Sequence, residues 1–186
     1  MNTDIDVSIR PYSEGDIWLL ERTLGDPSQM IHLNGAENTV TIRKRHTKFL
    51  AMSADPHSGC QFTILAGPLH APAGNVGYWE SEWHGEIGWE MGWFVLPEFQ
   101  GRGVATEATR LVIDQVTKLR SHKFVLAFPS VNNGPSNAIC RKLGFILTEQ
   151  VDSEYPFGSK RLLRVNIWRL TLPVREMDSS AQKLSG

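Results

Sequence analysis

Several features that would classify a protein at once are scarce in this 186-residue chain. It has only two cysteines, Cys60 and Cys140, which is too few to indicate a disulfide scaffold. Its formal net charge is −1 and it has no long basic run, which argues against an extended nucleic-acid or anionic-membrane footprint. No stretch approaches the roughly 18 consecutive apolar residues of a membrane-spanning helix. The composition therefore predicts an ordinary globular protein.

Targeting and metal-binding patterns are also missing from the sequence. The first residues carry acidic side chains and no apolar segment, so we expect no secretory signal and predict a cytoplasmic location. The six histidines have no metal-binding spacing and no neighbouring cysteine pair, so we predict no metal site. We predict one domain over residues 1–175 and a disordered polar tail over residues 176–186.

The hydrophobic pattern predicts a mixed α/β domain in the order β-α-α-β-β-β-α-β-α-β-β. A turn-rich connector is predicted over residues 67–74, and a turn over residues 156–158. The helices are predicted to begin near Ser13, within 36–52, after Gly103 and after Asn133. The predicted strands are 7–10, 61–66, 75–83, 86–96, 124–128, 146–155 and 162–172.

The junction between the fourth strand and the third helix carries the clearest chemistry. In this segment, VLPEFQGRGVATEA, Gly101 and Gly103 flank Arg102 just before an amphipathic helix. A helix N-terminus exposes unpaired N–H groups with partial positive charge, and glycines allow a ligand to approach them closely. The junction is therefore either a phosphate site assisted by the Arg102 guanidinium or a tight surface turn.

Two common nucleotide-binding patterns do not fit this junction. The dinucleotide fingerprint requires glycine or alanine three residues after Gly103, and this chain has Thr106 there. The P-loop requires a Gly-Lys pair followed by serine or threonine, and the junction has none.

Two motifs resemble those of the GNAT N-acetyltransferase superfamily. Residues 100–105, QGRGVA, resemble its Q/R-x-x-G-x-G/A signature, and residues 133–145 resemble its N-x-x-S-x-x-x-x-x-K-x-G-F segment. Residues 24–27 and 32–35 are similar to the branch that contains ribosomal-protein N-terminal acetyltransferases. The resemblance covers about residues 7–172. It implies a mostly antiparallel central sheet with helices on both faces and a splayed cleft between strands four and five.

The same resemblance implies acetyl-coenzyme A as acyl donor. The pyrophosphate is expected at the glycine junction, and the pantetheine along strand four, where a backbone N–H near Val95 would stabilise the thioester oxygen. Asn133 and Ser136 match positions that contact the pantetheine or cap the next helix. The implied donor-binding residues are Phe94, Val95, Leu96, Gln100, Gly101, Arg102, Gly103, Val104, Ala105, Thr106, Asn133, Ser136 and Cys140.

The implied reaction is direct attack of a primary amine on the thioester in a ternary complex. An ammonium substrate needs a proton acceptor, and Glu90 is predicted as the general base because residues 90–93 resemble the matching segment of the ribosomal branch. Glu86, nearer the turn, is the other glutamate available on this strand. Many relatives have a tyrosine where this chain has Cys140, so the proton donor to the leaving thiolate stays open between Cys140 and solvent.

The acceptor is expected to be a protein N-terminus or a small-molecule amine. The alternatives are transfer of another acyl group such as succinyl, and a non-catalytic acyl-coenzyme A binding or sensing module. Trp79, Trp89 and Trp93 are candidates to border the acceptor site, as are residues 154–158. Homodimers are common in the superfamily, so a homodimer is an implied possibility.

Overall fold

The computed structural model describes residues 5–53, 55–155 and 160–173. Its order of elements confirms the predicted one. The helices are α1 (Ile17–Thr23), α2 (Thr39–Met52), α3 (Val104–Leu119) and α4 (Gly134–Lys142). The strands are β1 (Val7–Pro11), β2 (Gly59–Ala66), β3 (Ala71–Trp83), β4 (Glu86–Val95), β5 (Phe124–Ala127), β6 (Ile146–Glu154) and β7 (Leu162–Thr171).

One predicted boundary is wrong. Residues 67–74 were expected to form a connector, but β3 already begins at Ala71, which pairs with Ala66, followed by Pro72, which pairs with Leu65. Cross-strand pairing thus overrides the turn preference of this proline and glycine composition. The turn predicted at residues 156–158 and the tail predicted from residue 176 lie outside the described residues.

The seven strands form one sheet in the order β1-β2-β3-β4-β5-β7-β6. All neighbouring pairs are antiparallel except β4 and β5, which are parallel. The connection from β4 to β5 passes through α3, as a parallel pair requires. This mixed, mostly antiparallel sheet confirms the predicted fold class.

Helices cover both faces of the sheet. The stripe Val104, Ala108, Val112 and Val116 on α3 is almost fully buried against one face, where α4 also packs. On the other face, Leu20 and Leu24 meet Ile42 and Phe49 in a second buried cluster formed by α1 and α2. No helix in the described ranges is both long and apolar enough to span a bilayer.

The two parallel strands separate after a short contact. Only Trp89–Val125 and Glu90–Leu126 are paired between β4 and β5. Beyond β5 the chain follows β7, because Ser130 forms a bridge with Val165 and the N–H of Asn166 donates to the Pro129 carbonyl at 2.9 Å. This continuation leaves the C-terminal end of β4 without a partner on its β5 side, and a cleft opens there.

Candidate functional site

A cavity of about 680 Å³ occupies the cleft between β4 and the segment after β5. The start of α3, with the loop before it, and the start of α4 line one part of the cavity. The connection between α1 and α2 and one face of α2 line another. Of the predicted site residues, it brings together Glu90, Phe94, Val95, Gln100, Gly101, Gly103, Val104, Ala105, Thr106, Asn133 and Ser136.

The glycine junction has the conformation that its sequence demands. Gly101 and Gly103 have φ values of 72° and 79°, a left-handed region that side chains with a Cβ adopt only at a cost. A Cβ added to either glycine would meet no described atom within 4 Å, so the space above the loop is open. The sixteen-residue helix α3 starts at Val104, directly after the second glycine. An anion could therefore reach the first N–H groups of this helix.

The structure gives Gln100 a bracing role. Its Nε2 donates to the Val95 carbonyl at 2.8 Å and to Gln29 Oε1 at 2.9 Å. The side chain thus ties the glycine loop to the end of β4 and to the connection between α1 and α2. Arg102 is exposed and does not line the cavity.

The backbone of Val95 faces the cleft. The N–H of Leu96 donates to the Ala73 carbonyl on β3 at 2.8 Å. Since successive strand residues direct their N–H groups to opposite sides, the N–H of Val95 points away from β3, toward the separated β5 side. This is the position where the sequence predicted a donor to a thioester oxygen.

Asn133 caps α4, which is the second of the two roles predicted for it. Its Oδ1 accepts from the Ser136 N–H at 3.1 Å. Both residues also line the cavity, so capping does not remove them from the site.

Sequence reasoning missed Asn137, one turn further along α4. This side chain is 3% exposed and all of its hydrogen bonds are made inside the protein. Nδ2 donates to the carbonyls of Ser130 and Asn133, and Oδ1 accepts from Asn166 Nδ2 and Trp168 Nε1. The network holds the diverging segment after β5 against β7. No local motif reveals it, because its partners lie up to 31 residues away.

Glu90 is partly buried in the cavity wall, opposite Trp79 in the register of β3 and β4. Burial raises the pKa of its carboxyl group, and the side chains of Ser81 and Trp79 and the charge of Lys48 offset only part of this effect. A carboxylate with a raised pKa accepts a proton more readily than an exposed glutamate. The competing candidate, Glu86, does not line this cavity.

Two cationic side chains and a phenol from outside β4 also line the cavity. Arg45 and Lys48 project from α2, and Tyr155 follows β6. Arg45 forms an ion pair with Glu37 and also interacts with the Tyr155 hydroxyl. Burial raises the pKa of Tyr155, although the Arg45 charge opposes this change, so the phenol stays protonated at neutral pH. Of residues 154–158, predicted to border the site, Tyr155 lines the cavity, and 156–158 lie outside the described residues.

The geometry does not bring three other predicted residues to the cavity. Cys140 is 0% exposed within the core, and burial raises the pKa of its thiol to about 12, so neither contact with a ligand nor proton donation fits. Leu96 is 1% exposed, and the indole of Trp89 is fully buried, whereas Trp79 and Trp93 do line the cavity. Trp89 and Trp93 share one face of β4, so the period of the strand does not separate them. Trp89 lies where β4 still pairs with β5, and Trp93 lies where the two strands have separated.

The residues present fit an acyl-coenzyme A donor. The open glycine loop at a helix N-terminus suits the pyrophosphate, and the outward N–H of Val95 suits a carbonyl oxygen. In the part of the chain that the structure describes, no cluster of three or more His, Cys, Asp or Glu side chains could hold a metal ion.

Comparison with known proteins places the chain in a family. A family model described as an acetyltransferase (GNAT) domain matches residues 6–146. The chain belongs to the GNAT acetyltransferase family. A search of curated proteins finds no significant match to this GNAT family member.

Solved structures of acetyltransferases share the fold of this GNAT protein. A GNAT-family acetyltransferase from Bacillus anthracis is 17% identical, with a TM-score of 0.71 over 89% of this chain and 94% of the other. A Vibrio cholerae spermidine N-acetyltransferase, in complex with coenzyme A and spermine, is 16% identical, with a TM-score of 0.69 over 89% and 95%. A Salmonella typhimurium acetyltransferase that modifies the N-terminal serine of a 50S ribosomal subunit protein is 16% identical, with a TM-score of 0.72 over 90% and 95%.

Proposed function

We propose that the protein transfers an acetyl group from acetyl-coenzyme A to a primary amine by direct attack in a ternary complex. The observation that carries the proposal is the single cavity that joins the open glycine loop, the Val95 backbone and the Glu90 carboxylate. The family assignment supports an acetyltransferase. The acceptor is a small-molecule amine or a protein N-terminus.

Donor binding follows from the C-terminal end of β4 and the glycine loop after it. The N–H groups of residues 101–106 bind the pyrophosphate at the start of α3, where the helix dipole favours negative charge. The exposed Arg102 adds a guanidinium at the rim of the loop. The cleft beside Phe94 and Val95 takes the pantetheine arm, which can hydrogen-bond to the β4 backbone that β5 leaves unpaired.

Glu90 then serves as the general base. It accepts a proton from the ammonium group of the acceptor, directly or through a water molecule, so that the amine nitrogen has a free electron pair. Nitrogen attacks the thioester carbon, and the Val95 N–H stabilises the charge that develops on the oxygen. The C–N bond forms, the C–S bond breaks, and the sulfur leaves as a thiolate that takes its proton from solvent or from Tyr155, which lines the same cavity.

Thiol release from acetyl-coenzyme A across a panel of amines and N-terminal peptides tests the activity. We expect Glu90→Gln to lower kcat by about 100-fold or more, the usual contribution of a general base. The wild-type rate should rise with pH through the pKa of Glu90, and the variant should lose this dependence. Glu86→Gln is the matched control, since Glu86 lies on the same strand outside the cavity and pairs with Arg169.

Three results would count against the proposal. Full turnover by Glu90→Gln at every pH would remove the general-base role. Faster transfer from succinyl-coenzyme A than from acetyl-coenzyme A would show that the transferred group is succinyl. Thermal stabilisation by coenzyme A without thiol release from any amine would favour a non-catalytic binding or sensing module.

The remaining expectations from the sequence stay proposals. We propose that the domain spans residues 1–175, that the protein is cytoplasmic and that it forms a homodimer. Light scattering on the purified protein tests the dimer, and a truncation after residue 175 that keeps full activity would support the domain boundary.

A further inference from the structure

Two buried polar side chains in the cavity wall have atoms without a partner. Gln61 is 1% exposed and Asn75 is 4% exposed, and both line the cavity. Gln61 Nε2 and Asn75 Oδ1 make no hydrogen bond to any described residue. Buried polar groups are normally paired, because leaving one unpaired costs the free energy of removing it from water.

The sheet register explains why both side chains line the same cavity. Gln61 on β2 lies opposite Gly77 on β3, which in turn lies opposite Gly92 on β4. A Cβ at Gly77 would lie 2.2 Å from Gln61 Nε2, so the carboxamide extends across the space that this glycine leaves. Asn75, two residues earlier on β3, lies opposite Phe94 and shares a sheet face with Trp79.

A purely structural role does not account for the pair. The buried amide Asn137 shows what such a role looks like in this protein, with partners for both Nδ2 and Oδ1. Gln61 and Asn75 instead leave one donor and one acceptor unpaired just beneath the surface of the cavity that also contains Glu90. A donor beside an acceptor complements a group that carries a carbonyl oxygen and an N–H.

We propose that Gln61 and Asn75 form a subsite for a carboxamide carried next to the reactive amine of the acceptor. Rotation of the two side-chain amides brings Gln61 Nε2 and Asn75 Oδ1 to the cavity surface. Gln61 Nε2 then donates to the carbonyl oxygen of the acceptor carboxamide, and the N–H of that carboxamide donates to Asn75 Oδ1. The inference rests on the proposed function, because it assigns part of the same cavity to the acceptor.

The charges around the subsite agree with a neutral polar group. Arg45 and Lys48 both line the cavity, and Lys48 has no ion pair within the described part of the chain. Since Arg45 is paired with Glu37, the charges left in the cavity are Lys48 and Glu90, and the described lining residues include no second carboxylate to pair with another ammonium group on the acceptor. A polyamine is therefore a poorer fit than an amine with an adjacent carboxamide.

A matched pair of acceptors tests the subsite. L-phenylalaninamide and 2-phenylethylamine share the amine and the aromatic ring, and only the first carries a carboxamide. We expect wild-type kcat/KM for the carboxamide probe to exceed that for the amine probe by about tenfold or more. Gln61→Met and Asn75→Leu, which keep the volume and remove the polar atoms, should lower this ratio by about tenfold relative to wild type. The ratios of the proteins are compared with one another, because the carboxamide lowers the pKa of the neighbouring amine equally for all of them. The affinity for coenzyme A should not change.

Thermal stability separates this role from a structural one. The apolar variants should keep or raise Tm, because they remove an unpaired buried group. Met52→Leu, an apolar exchange in the same cavity, is the control and should leave the probe ratio unchanged. A lower Tm with an unchanged ratio would assign Gln61 and Asn75 to the structure and overturn the proposal.

Failure of the subsite and failure of the proposed function give different results. Turnover of other amines but no preference for L-phenylalaninamide overturns the subsite alone. If no amine is acetylated, the proposed function fails. N-acetyl-L-phenylalaninamide then tests the subsite directly, by stabilising the coenzyme A-saturated wild type and not the Gln61→Met variant.

Discussion

Protonation of Asp16 should weaken the wall of the cavity that α1 and α2 form. Its carboxylate is 2% exposed and accepts hydrogen bonds from Arg10 Nη1 and Nη2, both at 2.7 Å. It also accepts from the Ser13 N–H and hydroxyl at 2.8 Å and from Thr63 Oγ1 at 2.9 Å. This one group therefore joins β1, β2 and the start of α1.

The free energy at stake follows from the pKa of Asp16. Burial alone would raise it, but the hydrogen bonds from Arg10, Ser13 and Thr63 outweigh burial and lower the pKa from 3.8 to about 2. At 1.36 kcal/mol per pKa unit, this ionisation contributes about 2 kcal/mol to the free energy of unfolding at neutral pH. Since the folded pKa is the lower one, the contribution is complete above the unfolded value and disappears as pH falls through the folded value. About 1 kcal/mol should already be lost at pH 3.

Urea unfolding of the wild type and Asp16→Asn at pH 7 and pH 3 measures this effect. Asparagine does not titrate, so the difference between the two proteins should shrink by about 1 kcal/mol between these pH values. Other carboxyl groups cancel in the comparison. If Asp16→Asn does not fold, Thr63→Val removes one of the donors and should shift the acid transition of the protein to higher pH.

An unchanged difference between pH 7 and pH 3 would refute the reasoning. It would mean that Asp16 has an ordinary pKa, and that its five donors stabilise the protonated and ionised forms equally.

Four further predictions concern the cavity and its supports. Glu90→Gln should raise the free energy of unfolding at pH 8, because burial disfavours the carboxylate that the substitution removes. The gain should be smaller at pH 5, where more of the glutamate is protonated, and a variant less stable than wild type at pH 8 would contradict the prediction. Gly103→Ala should lower the free energy of unfolding in urea by about 1–2 kcal/mol, because the backbone of Gly103 has a φ of 79°. The same variant should bind coenzyme A more weakly in calorimetry, and an unchanged affinity would show that the loop is not part of the site. Asn137→Ala should cost about 3 kcal/mol by leaving Asn166 and other buried groups unpaired, and a cost under about 1 kcal/mol would show that water replaces them. Cys140→Ala should keep turnover within about twofold, and in the wild type Cys140 should react with iodoacetamide only after unfolding, whereas fast labelling of the folded protein would contradict its burial.

The sequence predicted most of the local structure for reasons that act over short distances. Apolar spacing on α3 and the buried run of β5 identify their elements, because periods of 3.6 and two residues are local properties. The positive φ values of Gly101 and Gly103 were predictable from residue type, as was Gly144 after α4, with a φ of 81°. The limits of β3 were less predictable, because pairing with β2 extends it through a proline.

Roles of individual side chains were predicted less well. Cys140 occupies a position that resembles a ligand contact in the superfamily, yet the packing of α4 turns it into the core. Gln100 fits the donor motif, and its side chain has a second role that the motif does not predict, because it braces the loop against β4. In both cases the motif identified the segment, but the direction of each side chain depended on neighbours distant in sequence.

The sequence by itself determined the order of elements, the glycine loop and the strand that carries Glu90, because these depend on periodicity and backbone conformation within a few residues. The family resemblance implied the cleft between β4 and β5, but only the tertiary structure shows what opens it, since β5 leaves β4 through contacts of residues 129–131 with β7. The tertiary structure also decided that Gln61 and Asn75, from two different strands, place unpaired polar atoms in the wall of one cavity. Long-range pairing and packing set these positions, and no short segment of the sequence contains them.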